Sequence, residues 1–65
     1  MTGLELKLRR VGARVKQHDI AAVMGVTKSR VSGIEREQFP SVETTRRYLD
    51  ALETLTDVPH VAVAS

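Results

Sequence analysis

The chain has 65 residues, 42% of them hydrophobic and 28% charged, with a net charge of +2. That balance describes one small globular domain rather than a disordered tail, and no apolar run approaches the roughly 18 residues that a membrane helix requires. Cysteine is absent and His18 and His60 are the only imidazoles, which excludes disulfides and thiolate zinc sites.

Leu4, Leu8, Val11 and Val15 recur at i, i+4, i+7 and i+11. This spacing predicts a first helix over roughly 4–15 with that stripe buried, weakened by Gly12. A second helix follows in QHDIAAVMG, where Ile20, Ala21 and Met24 form a short apolar face and Gly25 permits a left-handed stop. Thr27 is a suitable N-cap for a third helix, KSRVSGIER, with Val31 and Ile34 turned inward. Pro40 then interrupts the pattern and Ser41 can cap the next helix. In that fourth helix Thr45, Tyr48, Leu49, Leu52 and Leu55 make an amphipathic stripe, which Asp57 and Pro59 are expected to end. The tail, HVAVAS, reads either as a short strand or as a frayed end.

Charge is unevenly spread. Residues 1–16 carry Lys7, Arg9, Arg10, Arg14 and Lys16 against Glu5 alone, residues 17–37 balance, and residues 38–65 are net acidic. A polyanion would therefore meet the first half, although a basic helix is also commonly just a solvated face. The sequence leaves Arg9, Arg14 and Lys16 open between these two roles, and Arg46, Arg47 and Asp50 read as a solvated face of the fourth helix.

The second and third helices are joined by only a few residues around Gly25, which forces a steep crossing: the helix-turn-helix unit, here residues 17–36. The stretch KQHDIAAVMGVTKSRVSGIER resembles the lambda-repressor/Cro-like (Xre-type) helix-turn-helix family. It does so through Gln17, Ile20, Ala21, Gly25, Val26, Thr27, Val31, Ser32, Ile34, Glu35 and Arg36. Pro40, Ser41, Glu43, Thr44, Leu49, Ala51 and Leu52 continue the likeness, which spans residues of about 4 to 53 in register. The resemblance implies an all-α domain of four helices over residues 1–57, with 58–65 as a tail or dimerisation strand.

With Val31 and Ile34 inward, helical spacing places Lys28, Ser29, Ser32, Gly33 and Arg36 on the opposite face. In the family that face enters the major groove of double-stranded DNA. The resemblance assigns base reading to Lys28, Ser29 and Ser32, and to a fourth position occupied here by Gly33, whose missing side chain either lets the helix sit closer to the groove or removes one reader. It assigns phosphate contacts to Gln17 and Thr27 at helix N-termini, with Arg30 on the flank and Gln38 and Ser41 in the following loop. It further pairs Arg10 with Glu35 as a structural clamp between helices.

A small scaffold without disulfide or metal needs a partner subunit, and one reading helix covers few base pairs, so a homodimer on a palindromic operator is expected. The family's usual fifth helix is missing. The chain end is similar to a subset that includes antitoxins, in which a strand follows the last helix. Val58, Val61 and Val63 would then pair across a two-fold axis. The expected role is a cytoplasmic, nucleoid-associated transcriptional regulator, a repressor, without cofactor or catalysis. A protein-interaction module, such as an antitoxin holding a toxin, is the alternative. His18 and His60 have no nucleophile or metal partner at a useful spacing, so no enzymatic site is expected. The order of charges in MTGLELKLRR is not that of a secretory leader.

Overall fold

The computed structural model describes residues 1–64, with side chains described through residue 56. Four helices follow in order: α1 (Gly3–Gly12), α2 (Gln17–Met24), α3 (Lys28–Arg36) and α4 (Val42–Ala64). Their core is Leu6, Ile20, Ala21, Met24, Val31, Ile34, Tyr48, Ala51 and Leu52, with Val15, Val26 and Leu49 packed at its edge. Among the described residues no helix is long and apolar enough to cross a membrane.

The first helix starts one residue earlier than its apolar spacing predicts. Thr2 accepts from the Glu5 backbone N–H at 3.1 Å while Glu5 accepts from the Thr2 N–H at 2.8 Å. This reciprocal capping box satisfies two N–H groups that would otherwise lack partners.

The expected buried stripe of α1 is not buried. Leu4, Leu8 and Val11 are 58%, 60% and 52% exposed, and only Val15, beyond the helix, reaches the core edge. The face that α1 turns inward is instead Gly3, Leu6 and Arg10. Two close fits impose that rotation. A Cβ at Gly3 would collide with the Ile34 carbonyl oxygen and lie 2.6 Å from that of Glu37. Only glycine therefore lets α1 approach the end of α3, where the Gly3 N–H donates to Glu37 O at 2.8 Å. Two turns further on, Arg10 must reach Glu35. Apolar periodicity marks a preferred face, but a backbone contact and a buried ion pair outrank it here.

α1 and α2 end in the same way. At the end of α2 the Val26 N–H donates to Ala21 O at 3.0 Å and the Gly25 N–H to Ala22 O at 3.3 Å, with Gly25 left-handed at φ 72°. At the end of α1 the Val15 N–H donates to Arg10 O at 3.1 Å and the Arg14 N–H to Val11 O at 3.0 Å. Arg14 is the left-handed residue of this second motif, at φ 61°. Both are Schellman endings, whose left-handed position favours glycine. Placing a side chain there costs on the order of 1 kcal/mol.

Thr27 caps α3, its hydroxyl accepting from the Arg30 N–H at 3.1 Å, and Val31 and Ile34 are fully buried beneath it. Ser41 caps α4, accepting from the Thr44 N–H at 3.1 Å. Arg47 does not merely face solvent. Its Nη2 donates to Met24 O at 2.8 Å and so supplies a partner to the last carbonyl of α2. α4 continues through Asp57 and Pro59 to Ala64, so neither the expected helix end nor a C-terminal strand is seen among the described residues. A strand needs another strand's backbone groups, whereas a helix satisfies its own. Pairing by Val58, Val61 and Val63 concerns side chains that lie outside the described residues.

Candidate nucleic-acid interface

The outward face of α3 is set from beneath by a buried carboxylate. Arg10 Nε donates to Glu35 Oε2 at 2.7 Å and Arg10 Nη2 to Oε1 at 3.2 Å, a bidentate pair between α1 and α3. Arg10 Nη1 also donates to Val15 O at 2.9 Å, holding the α1–α2 connection. The Tyr48 hydroxyl of α4 donates to Oε2 at 2.5 Å, and Gln17 Nε2 of α2 donates to Oε1 at 2.9 Å. One carboxylate thereby receives donors from the other three helices. Burial by itself would push the Glu35 carboxyl up, but the hydrogen bonds from Arg10, Tyr48 and Gln17 outweigh it and hold the group below its usual range. Burial, followed by the hydrogen bond to Glu35, pushes the Tyr48 hydroxyl up.

Sequence reasoning singled out Arg10 and Glu35 but missed Tyr48. The available signal was a lone tyrosine in an apolar stripe, whose hydroxyl needs a partner once buried. Gln17, expected to face a phosphate, has its amide turned onto Glu35, which leaves one N–H and the side-chain carbonyl free for another role.

Above this network Lys28 and Ser29 are exposed, Ser32 and Gly33 half-buried, and Arg36 exposed. A Cβ added at Gly33 would meet nothing within 4 Å, so packing does not demand glycine there. Thr27 is occupied as the α3 cap. Arg30 is exposed, with Nη1 3.6 Å from Glu37 Oε1. Gln38 is exposed in the loop after α3, and the Ser41 hydroxyl is engaged with Thr44.

The structure brings Gln17 and Lys28 to one shallow groove, with Lys7, Arg14, Lys16 and His18 along it. Gln38 and Ser41 lie past the other end of α3 and do not line that groove. Among the described residues no group of His, Cys, Asp and Glu could hold a metal ion.

A short-linked helix pair whose second member is pinned by a core and presents a polar outer face is a helix-turn-helix unit. A family model described as helix-turn-helix matches residues 6–58, and the chain belongs to that family, of the Cro/C1-type, Xre-like kind. Its class is that of DNA-binding transcription regulators. Comparison with curated proteins and with solved structures gives no significant match.

Proposed function

We propose that the chain is a sequence-specific repressor that binds a palindromic operator as a homodimer and occludes a promoter. The observation that carries this reading is the outer face of α3, polar and accessible at Lys28 and Ser29 while Val31, Ile34 and Glu35 anchor the helix from below. Lys28 donates to guanine O6 and N7, Ser29 and Ser32 exchange hydrogen bonds with base edges, and Gly33 brings the helix close to the groove floor. Gln17, Thr27, Arg30, Gln38 and Ser41 contact phosphates and set register rather than sequence. The protein acts by binding alone, on the nucleoid in the cytoplasm, without cofactor. A second copy places a second α3 about 34 Å away on the next major groove.

Selection of bound duplexes from a random library at about 0.15 M salt tests this, because specific binding exceeds non-specific binding by roughly 10³-fold or more. The expected result is a palindrome with half-sites one helical turn apart. A lone half-site would remove the dimer and keep the DNA role. No enrichment from folded protein would transfer the function to a protein partner, such as a toxin. On the selected operator, Lys28→Ala should cost about 1–3 kcal/mol and relax preference at one base pair. Arg30→Ala should weaken all sequences alike.

A further inference from the structure

Arg14 is a residue in the wrong place for its backbone. α1 and α2 close with the same pair of hydrogen bonds, and α2 fills the left-handed position with Gly25. α1 fills it with an arginine whose side chain is exposed. Nothing in the turn needs that side chain, since the two closing hydrogen bonds are made by the backbone. An arginine kept at a position that favours glycine points to a use for the guanidinium outside the fold.

The surroundings indicate what that use is. Arg14 lines the shallow groove shared with Lys7, Lys16, Gln17, His18 and Lys28, and no carboxylate lines it. Asp19 stands at its edge, 3.3 Å from His18. Arg10 also borders the groove but is neutralised by Glu35, so the field there comes from Lys7, Arg14, Lys16 and Lys28. These four cations come from α1, the α1–α2 turn and the start of α3. Lys28 is the first residue of the helix proposed to enter the major groove, so the basic groove continues that surface towards α1. A duplex carries a negative charge at every nucleotide, and a groove of one sign beside the docking helix follows its backbone.

We infer that Arg14 is a phosphate anchor, held in a strained turn so that its guanidinium meets the backbone of the duplex docked on α3, with Lys7 and Lys16 extending the same contact. This rests on the DNA-binding reading above. The α1–α2 turn thereby becomes part of the interface, although it lies outside the helix-turn-helix unit itself.

Because strain and charge reside in the same residue, one substitution moves stability and affinity apart. Arg14→Gly removes the strain and the cation together. Its melting midpoint should be no lower than that of the parent, whereas its affinity for the selected operator at about 0.15 M salt should fall several-fold. The slope of log K against log salt should become shallower by about 0.9, one phosphate contact. Arg14→Lys keeps the charge and should keep the parent slope.

An unchanged affinity and slope in Arg14→Gly, with the parent binding its operator, overturns the anchor and leaves the DNA reading intact. A lower melting midpoint shows that the arginine serves the fold and likewise overturns it. A parent that binds no duplex removes both.

Discussion

α1 and α3 are nearly equal in length and both amphipathic, yet their apolar stripes meet opposite fates. The stripe of α3, Val31 and Ile34, is fully buried, whereas Leu4, Leu8 and Val11 of α1 lie in solvent. The difference lies in what fixes each helix's rotation. α3 is held by apolar side chains on a short tether to α2, so hydrophobic spacing and final orientation coincide. α1 is held by Gly3 against the Ile34 carbonyl and by Arg10 against Glu35, two contacts that hydrophobic periodicity does not encode. A helix with only one large core residue, Leu6, is oriented by whichever specific contacts are costliest to break.

Substitutions can break this contrast, and the largest effect is expected at the ion pair. Glu35→Ala leaves the Arg10 guanidinium buried without its counter-charge and should cost about 3–5 kcal/mol in chemical denaturation. The same carboxylate sets an acid limit. Its folded form is more acidic than the ordinary 4.5 of the unfolded chain, so below that pH the unfolded state takes up a proton first. Its contribution is complete above pH 4.5 and is lost as pH falls towards the folded value. Urea midpoints measured downward from about pH 6 should therefore drop, and the drop should be smaller in Glu35→Gln.

Leu6→Ala and Leu8→Ala form the next test, a direct comparison of the two faces of α1. The first should cost about 2–5 kcal/mol and the second less than about 0.5 kcal/mol. Equal losses would mean that α1 is rotated from the orientation described. Gly3→Ala should cost about 1–3 kcal/mol, because the added methyl meets backbone that cannot swing aside. One further effect has the opposite sign. Gly33→Ala enters open space on the outer face of α3 and should stabilise the fold by up to about 1 kcal/mol. Operator affinity measured on the same variant then reports separately on close approach to the groove.

Much of the helix-turn-helix unit is legible in the amino-acid order. Gly25 as a left-handed stop, Thr27 as a cap, and Ile20, Ala21, Met24, Val31 and Ile34 as core all follow from local chemistry and spacing. The capping box of Thr2 and Glu5 is equally local, a T-x-x-E spacing that apolar periodicity passes over. Tyr48 as a donor to Glu35, Arg47 on the α2 carbonyl, and the close approach at Gly3 do not follow from spacing, because each joins residues far apart in the chain.

By itself the sequence determined the number and order of the helices, the caps of α3 and α4, the family and the polar outer face of α3, since these depend on residues within a few turns of one another. Only the tertiary structure decided which way α1 faces, that Glu35 collects donors from three other helices, and that Lys7, Arg14 and Lys16 stand in one groove with Lys28. Such arrangements depend on distances between helices, which are set by the few contacts too costly to leave unmade: a backbone against a glycine and a buried charge against its partner.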